Sequence, residues 1–342
     1  MNLEDLKMKL SPYLKEQFGS DFEIREIIQF KGGYSNLTYL LKTNQGELVL
    51  RRPPLGKKIS KAHDMTREFQ VLKSLEKAGY KKIPKAILSS EDEAIIEVPF
   101  FIMEKVEGLI LRNRLPDGIG LDKEFFSHLS KNCLDSLIEL HQLELEHSGL
   151  SVLGKPDGYV ERQVLGWTER YQRAKTDEIL AMEATSDWLK ENLPSGSSVG
   201  FIHNDYKYDN IVLKNTDEPK IKAILDWEMA TVGDPLMDLG TTLAYWTEPN
   251  DPEILKNFNL THASGNYSRQ DVINYYSKAT GSNMEDILFY YAFGIFKVGV
   301  IAQQIYQRYQ QGFGQDPRFA ALIHAVKACG LLSKNAIKTG KI

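Results

Sequence analysis

The sequence predicts an α+β protein of two lobes, a small strand-rich lobe of residues 1–106 and a larger, mainly helical lobe of residues 107–342. Runs of β-forming residues separated by turn signals are concentrated in the first hundred residues. Helical patterns dominate from about 121 to 194. The chain has 342 residues, 42% of them hydrophobic and 26% charged, which is enough for two globular lobes.

Composition excludes several functional classes. The formal net charge of −4 argues against non-specific binding of nucleic acid, which requires a basic surface. Two cysteines provide neither a disulfide framework nor metal-ligand spacing, so we expect a reduced, cytoplasmic setting. The opening MNLEDLKMKL contains acids and no apolar core, unlike a signal peptide. The most apolar stretch, 287–302, is interrupted by Lys297, so we expect a buried helix there and no membrane partner.

The small lobe begins with a helix predicted over about 2–18, followed by the β-rich runs LTYLLK and ELVLRR around the turn TNQG. The segment KGGYSN precedes the first of these strands. Its glycines would let backbone N–H groups approach an anion, and Ser35 and Asn36 add donors. A glycine pair before a strand is also a common turn, so the residues alone leave both interpretations open.

The helix predicted over DMTREFQVLKSLEKAG carries an acid on its apolar face. Glu68 precedes Leu72 by four positions and Leu75 by seven, which places all three on one side. Val49 and Arg51 alternate onto one face of the preceding strand, so Arg51 is the candidate partner for a buried Glu68. The alternative is that Glu68 lies at the edge of the stripe, in water.

The run EVPFFIMEKVEG, residues 97–108, predicts a strand that leads into a short connector. It is either core alone or a hinge between the two lobes.

The most polar motif lies between two strands of the large lobe. Residues 201–213 read FIHNDYKYDNIVL, and a hairpin around NTDEP ends at Asp226. Asp205 and Asn210 are five apart and Asp226 follows sixteen later, so three oxygen donors lie at neighbouring loop ends. Such a trio suits Mg²⁺, which prefers oxygen ligands and is often shared with substrate phosphates. Zinc is a poor fit, since His203 is the only nitrogen ligand nearby.

The segment from His203 to Asn210 resembles the protein-kinase catalytic loop H-R-D-L-K-x-x-N with the same spacing. It is still more similar to the H-G-D-x-x-x-x-N loop of the aminoglycoside phosphotransferase/choline-kinase-like family. The segment LDWEMATVGDPLMDLG resembles that family's second signature. Together with GGYSNLTYLL, VLRRPP, GWTERYQ and WLKENLP, it is most similar to the kinase-like domain fused to some acyl-CoA dehydrogenases. The resemblance extends from about 25 to about 312.

The resemblance implies a bilobal protein-kinase-like fold and an ATP-dependent phosphotransferase that acts on a hydroxyl of a small molecule, with ATP and Mg²⁺ as cofactors. Asp205 would orient or deprotonate the acceptor hydroxyl and Lys207 would contact the phosphoryl group, while Asn210 and Asp226 would bind Mg²⁺. The residues implied on the nucleotide side are Gly32, Gly33, Ser35, Asn36, Val49, Arg51, Glu68, Met103 and Glu104.

Two departures from kinase patterns matter. Arg51 stands where kinases usually carry lysine; a guanidinium can bind phosphate bidentately but with different geometry. The glycine segment lacks protein-kinase spacing and no A-P-E motif follows LDWE, which argues against a protein kinase. A nucleotide-binding pseudokinase without turnover is the competing class.

Other polar residues of the two signatures have structural explanations. We expect His203 to order the loop, Asp234 to cap the helix that begins at Pro235, and Asp238 to anchor a loop. For Glu228, support of the site and contact with substrate both remain open.

The acceptor is the least constrained part of the function. The resemblance to the dehydrogenase-fused branch favours a hydroxyacyl thioester, and aminoglycosides or other small alcohols are the alternatives. Residues 155–175 carry five Lys or Arg against three Asp or Glu, an excess that suits an anionic acceptor or forms only a solvated helix face.

Overall fold

In a computed structural model, the described residues are 1–30, 36–54, 64–115, 119–313 and 316–342. The amino-terminal elements form an α+β lobe, as predicted. They are α1 (Leu3–Phe18), β1 (Ile24–Gln29), β2 (Leu37–Thr43), β3 (Gly46–Arg52), α2 (Met65–Lys77), β4 (Ala86–Ser90), α3 (Glu93–Ile96) and β5 (Phe100–Glu104). The connector that follows β5 contains the boundary we predict between residues 106 and 107.

The remaining elements are mainly helical. They are α4 (Lys123–His141), α5 (Tyr159–Ala174), α6 (Leu180–Glu191), β6 (Gly200–Ile202), β7 (Ile211–Leu213), β8 (Ile221–Ile224), β9 (Thr231–Gly233), α7 (Pro235–Tyr245), α8 (Glu253–Lys256), α9 (Arg269–Thr280), α10 (Ile287–Gln310) and α11 (Leu322–Thr339). Two short antiparallel pairs, β6 with β9 and β7 with β8, carry the polar loop predicted between strands.

The five-stranded sheet of the small lobe has the order β1-β2-β3-β5-β4, and its two faces pack against different cores. Leu41, Leu50 and Ile102 pack in a cluster with the buried side of α1. Val49 and Phe101 belong instead to the core that contains α2 and most of the large lobe. Because side chains alternate along β3, Arg51 shares the face of Val49 and is directed toward α2 and the other lobe.

The lobes are joined at α2 by a half-buried arginine. The Arg67 guanidinium donates through Nη2 to the carbonyl oxygen of Leu153 at 2.8 Å and to that of Ala230 at 2.6 Å. Arg67 directly precedes Glu68. These two bonds therefore fix the position of Glu68 relative to the segment that follows Asp226.

A carboxylate cap begins α7, as the sequence predicts. Asp234 Oδ1 accepts the N–H of Leu236 at 2.8 Å, and Pro235 occupies the first helical position. Oδ2 of the same side chain accepts from the Tyr290 hydroxyl at 3.0 Å, which connects the cap to α10. The helix α7 therefore begins at a fixed place beside the polar loop.

The apolar helix α10 is a core helix, as predicted. It is the one helix in the described part of the chain that is long and apolar enough to cross a membrane, and 78% of that window is buried inside the protein. It crosses α7 closely: a Cβ added at Gly240 would lie 2.2 Å from the carbonyl oxygen of Tyr290, and one at Gly294 would lie 2.2 Å from that of Gly240. The two glycines thus bring α10 directly beneath the helix that anchors the site.

Candidate active site

The polar loop after β6 is anchored by the buried carboxylate of Asp238, in the first turn of α7. Its Oδ2 accepts the N–H of His203 at 2.7 Å and its Oδ1 accepts the N–H of Asn204 at 2.8 Å. His141 Nε2 lies 3.1 Å from Oδ2. Burial alone would raise the pKa of Asp238, but the hydrogen bond and charge of His141 hold it below its ordinary value. The predicted anchoring role of Asp238 is confirmed.

His203 orders the loop by hydrogen bonding, as predicted. Its Nδ1 accepts the N–H of Asp205 at 3.2 Å, so the ring proton lies on Nε2, 2.9 Å from the carbonyl oxygen of Leu225. The ring also packs on Trp227, with centroids 4.7 Å apart. His203 therefore ties the loop to the strand end that leads into Asp226.

The carboxylate of Asp205 is held by two side chains of its own loop. Lys207 Nζ donates to both of its oxygens, at 3.0 and 2.8 Å, and Asn210 Nδ2 donates to Oδ2 at 3.0 Å. Lys207 also lies over the ring of Tyr245, 4.7 Å from its centroid. Burial opposes the charge of Lys207, but Asp205 outweighs it and raises the pKa of Lys207 well above its ordinary value. The ammonium group therefore stays protonated.

Arg51 joins the two lobes through three carboxylates. Its Nη1 lies 2.8 Å from Glu68 Oε1, which confirms the contact predicted from the two periodicities. Its Nη2 lies 3.0 Å from Asp226 Oδ1 and 3.5 Å from Glu228 Oε2. The side chains of Arg51 and Glu68 are only 10% and 2% exposed, so this is a buried ion pair rather than a solvated one.

One guanidinium does not offset the charge of all three carboxylates. Burial raises the pKa of Glu68 to about 7, against the charge of Arg51. Burial and the neighbouring Asp226 raise the pKa of Glu228 to about 8. For Asp226, burial acts in the same direction, but Arg51 prevails and lowers its pKa. The cluster is therefore short of positive charge, which a divalent cation would supply.

Asn210 and Asp226 fit the Mg²⁺ site predicted from the sequence. The N–H of Leu225 donates to the carbonyl oxygen of Asn210 at 2.8 Å. Because Leu225 directly precedes Asp226, this bond brings Asn210 and Asp226 close together. Because the Asn210 amide nitrogen faces Asp205, its side-chain oxygen is directed away from that carboxylate. The Asp226 side chain is 37% exposed. Carboxylate and carboxamide oxygens are ligands that Mg²⁺ accepts while it keeps waters and phosphate oxygens.

No group of three or more His, Cys, Asp or Glu that could hold a metal ion occurs within the ranges that the structure describes.

Two nucleotide-side candidates lie on one face of the sheet. Val49 and Met103 are directly paired across β3 and β5, on the face that carries Arg51. Glu104 ends β5 with an exposed side chain, and its N–H already donates to the carbonyl oxygen of Lys85 at 3.0 Å. Val49 and Met103 can therefore form an apolar wall, whereas the amide of Glu104 is used by the sheet.

Of the four candidates in the glycine segment, Gly32, Gly33 and Ser35 lie outside the described residues. Asn36 is placed: its Nδ2 donates to Glu228 Oε2 at 2.8 Å. The same Glu228 oxygen lies beside Arg51, so Glu228 supports the end of the glycine segment and the buried cation together.

The comparison with family models gives this site its context. A model described as the phosphotransferase enzyme family matches residues 26–269 of the 342. The chain belongs to that family. The two signature segments, which contain Asp205 and Asp226, both lie inside the match, and Lys297 lies outside it.

Relatives and solved structures agree with this assignment. Acyl-CoA dehydrogenase family member 11 of Homo sapiens is 33% identical over 341 residues, and the match covers 96% of this chain but 43% of that protein. A presumed aminoglycoside phosphotransferase from Ralstonia eutropha superposes with a TM-score of 0.80 at 28% identity, over 97% of this chain and 98% of that one. The GDP complex of aminoglycoside 2'-phosphotransferase-IIIa, at 17% identity, shares the fold with a TM-score of 0.65 over 95% and 99% of the two chains.

Two residues of this family member depart from the patterns that its sequence resembles, and the structure accounts for both. Asn204 replaces the glycine of H-G-D; its φ of 68° is left-handed, a conformation that glycine and asparagine adopt most readily. Arg51 replaces the usual lysine, and its forked guanidinium reaches Glu68 and Asp226 at the same time.

Sequence reasoning missed two residues that contact this site. Tyr245 lies under Lys207 at the end of α7. Lys297 of α10 reaches the carbonyl oxygen of Asn204 at 2.6 Å. A buried lysine in an otherwise apolar helix was the only sequence signal for Lys297, and nothing in the sequence marked Tyr245.

Replacing Asp226 should remove a Mg²⁺-dependent response to ATP. Asp226 has φ 68° and ψ 60°, so Asp226→Asn preserves the backbone better than alanine would. In the unsubstituted protein, Mg·ATP at about 100 times its dissociation constant should add about 2.7 kcal/mol to the free energy of unfolding. We expect Asp226→Asn to keep the response to ATP with EDTA and to lose the additional stabilisation by Mg²⁺, measured by thermal unfolding.

Asp209→Asn is the matched control, because Asp209 lies on the same loop and, among the described residues, forms an ion pair only with exposed Arg112, at 3.7 Å. It should retain the full Mg²⁺-dependent shift. A full shift in Asp226→Asn as well would exclude Asp226 as a metal ligand.

Proposed function

We propose that this protein transfers the γ-phosphoryl group of ATP to a hydroxyl group of a small molecule, with Mg²⁺ as the metal cofactor. The observation that carries the proposal is the setting of Asp205, whose carboxylate is held at 2.8–3.0 Å by Lys207 and Asn210. Across the cleft, Arg51 contacts Asp226 from the other lobe. A base, a phosphate-binding cation and a metal ligand thus converge between the lobes.

Each residue has a distinct part in the reaction. Asp205 accepts the proton of the acceptor hydroxyl as its oxygen attacks the γ-phosphorus. The new bond joins that oxygen to phosphorus, and the bond to the β-phosphate breaks with its electron pair left on ADP. Lys207 orients Asp205 and offers its remaining N–H to the transferred group. Mg²⁺ held by Asn210 and Asp226 would supply charge neutralisation on the phosphates.

The nucleotide would lie on the sheet side of the cleft. Val49 and Met103 offer an apolar surface for a base. Lys105 and Val106 follow β5, and no hydrogen-bond acceptor for their backbone N–H groups is found among the described residues. A solved structure with the same fold, aminoglycoside 2'-phosphotransferase-IIIa, is a complex with GDP. This supports a purine nucleotide in the present site.

The competing function is nucleotide binding without turnover. The contact between Arg51 and Asp226 supports it, because the guanidinium occupies an oxygen that would bind metal. Against it, all three polar groups expected for turnover, Asp205, Asn210 and Asp226, are present and adjacent. Formation of ADP that depends on an acceptor separates the two functions.

For the acceptor we propose an anionic hydroxylated metabolite, namely a hydroxyacyl thioester of the coenzyme A type. The first support is sequence similarity: a relative at 33% identity is named as an acyl-CoA dehydrogenase family member. This chain spans under half of that relative's length. The second support is the positive charge of α5 and its flanks.

The contacts show which cations of this segment are already paired with carboxylates. Arg173 pairs with Glu169, and Lys175 pairs with Glu183. Arg170 makes no ion pair with a described carboxylate and lies over the ring of Trp167, 4.7 Å from its centroid. An exposed guanidinium held against an indole is a suitable contact for a phosphate of coenzyme A.

The test presents Mg·ATP with a panel of hydroxyacyl-CoA esters and a panel of aminoglycosides, and measures ADP release. We expect turnover of thioesters, and for Arg170→Met an increase of about 10-fold or more in the KM of the thioester, as for loss of a charged hydrogen bond. Arg173→Met, on the same helix and paired with Glu169, is the matched control and should leave KM unchanged.

Turnover of kanamycin-like compounds with none of the thioesters would overturn the proposed acceptor. ATP binding without ADP release for any acceptor would instead favour the pseudokinase.

A further inference from the structure

The buried middle of α10, beneath the polar loop, contains a cation that the proposed reaction does not use. Lys297 is 1% exposed, and no other lysine in the described part of the chain is buried. Burying an ammonium group is costly unless it is paired. Packing alone therefore does not account for its position, and the groups that it contacts indicate its role.

Lys297 binds one residue, Asn204, which directly precedes Asp205. Its Nζ lies 2.6 Å from the carbonyl oxygen of Asn204 and 3.4 Å from the side-chain oxygen of the same residue. On another side it lies 5.6 Å from the centroid of the Trp167 ring. No carboxylate in the described ranges comes within 4.0 Å of Nζ, so this is not an ordinary ion pair.

Asn204 is held on every polar atom. Its N–H donates to Asp238 Oδ1 at 2.8 Å, and its Nδ2 donates to the hydroxyl of Tyr159 at 3.0 Å and to the carbonyl oxygen of Met229 at 3.1 Å. Its Oδ1 accepts from the Tyr159 hydroxyl at 3.3 Å, and Lys297 supplies the donor for the last group, the carbonyl oxygen. Because Asn204 is left-handed, with φ 68°, this fixation determines the direction in which the chain enters Asp205.

We propose that Lys297 is a positioning residue of the phosphotransfer site: it fixes the carbonyl of Asn204 from beneath the loop and holds a positive charge behind Asp205. The inference rests on the proposed function for its effect on turnover, but not for its effect on the loop. The charged groups that act on Lys297 are Asp238 of α7, Asp205 and Lys207 of the loop, and Arg170 of α5.

The charge on Lys297 should depend on pH near neutrality. Burial lowers the pKa of Lys297 to about 8, so the ammonium is present below that pH and is lost as pH rises through it. In the unfolded chain a lysine titrates at about 10.4. The unfolded state then binds more protons between about pH 8 and about 10.4, and this group's contribution to stability rises with pH in that window. A decline in kcat above pH 8 would therefore not reflect unfolding caused by Lys297.

The experiment compares Lys297→Met and Lys297→Gln with Gln303→Met. Gln303 is a buried polar residue on the same helix, about 9 Å along its axis, and it binds Ala174 and Thr176 rather than the loop. Hydrogen exchange of peptides covering residues 201–213 is measured without nucleotide. ADP release is measured with the accepted substrate between pH 6.5 and about 9.5, a range that brackets the titration.

We expect both Lys297 variants to exchange faster in 201–213 than Gln303→Met does. We also expect kcat to fall about 10- to 100-fold, as for other positioning contacts, while the KM for ATP changes less than about 3-fold. The decline in kcat of the unsubstituted protein above pH 8 should be absent in both variants. If Lys297→Met does not fold, Lys297→Gln decides, because it retains a neutral donor.

Unchanged exchange in 201–213, or a kcat and pH profile equal to those of Gln303→Met, would overturn the role of Lys297. An unsubstituted protein that turns over no acceptor would contradict the proposed function instead, and the exchange measurement would still decide whether Lys297 anchors the loop.

Discussion

Asp205→Asn should lower kcat by about 10²- to 10⁴-fold, as expected when a general base is lost, while ATP still binds. In the unsubstituted protein Lys207 donates to both carboxylate oxygens of Asp205, at 3.0 and 2.8 Å. The substitution preserves the shape of the side chain and leaves one oxygen to accept from Lys207. What it removes is the negative charge that accepts the hydroxyl proton. The measurement is ADP release at saturating acceptor, with ATP binding followed separately by thermal unfolding.

Asp209→Asn again serves as the matched control, because Asp209 lies four residues further along the loop and pairs with exposed Arg112. It should retain the activity of the unsubstituted protein. If Asp205→Asn kept a tenth or more of kcat, the proton would be accepted elsewhere and Asp205 would be limited to holding Lys207 and Asn210. A loss of ATP binding together with activity would indicate that the substitution disrupts the loop.

Local periodicity made Arg51 the candidate partner of Glu68, with a solvated Glu68 as the alternative, and the structure shows the contact. A strand period of two placed Arg51 toward the helix, and a helical period of 3.6 placed Glu68 toward the strand; the atoms lie 2.8 Å apart. The cap of α7 was predictable for the same reason, since Asp234 and Pro235 act within a single turn. Both features depend on residues close in sequence or on adjacent elements.

Contacts between distant segments were not predictable in this way. Arg51 contacts Asp226 and Glu228, which lie 175 and 177 residues away in sequence. These contacts depend on how the two lobes pack together. Lys297 lies 93 residues from Asn204, and the helical pattern showed only that it would be buried. The charge count of residues 155–175 likewise could not show which of its cations pair with Glu169 and Glu183.

The fold class followed from the distribution of strand and helix patterns, whereas its kinase-like character depended on the resemblance of the two signatures. The difference is physical. Periodicity reports which face of an element is buried, but the order β1-β2-β3-β5-β4 and the placement of β6–β9 arise from packing over long sequence separations.

Arg51→Met should destabilise the nucleotide-free protein by about 3–5 kcal/mol, the range for removing one partner of a buried ion pair. The substitution leaves Glu68, 2% exposed, without its cation, and Glu68 Oε2 already has no hydrogen-bond partner among the described residues. Asp226 loses the same partner but is 37% exposed and can be hydrated. The free energy of unfolding is measured by urea titration. Equal dependence of that free energy on urea concentration in the variant and the unsubstituted protein would show that the two values can be compared.

The next residue on β3 provides the matched control. Arg52 is also buried, at 3% exposure, but its guanidinium donates to neutral groups, the carbonyl oxygen of Pro53 at 3.2 Å and the hydroxyl of Tyr39 at 2.9 Å. Arg52→Met therefore leaves neither of these partners as an unpaired carboxylate. We expect a smaller loss of unfolding free energy, about 1–3 kcal/mol, for the unsatisfied polar groups that it leaves.

The pH dependence separates loss of charge pairing from loss of packing. Burial already raises the pKa of Glu68 to about 7 against the opposing charge of Arg51, and removing that charge raises it further. A carboxyl whose pKa is higher in the folded than in the unfolded state adds stability at low pH, and this stability is lost as pH rises through the folded value. As pH falls, the deficit of Arg51→Met should therefore shrink until the pH reaches about 7, where Glu68 becomes protonated even beside Arg51, and should change little below that, whereas the deficit of Arg52→Met should not depend on pH. The double variant Arg51→Met with Glu68→Met should recover most of the loss, because apolar residues can replace a buried pair with little cost. Equal, pH-independent losses for Arg51→Met and Arg52→Met, with no recovery in the double variant, would show that Arg51 stabilises the lobe by packing rather than by neutralising Glu68.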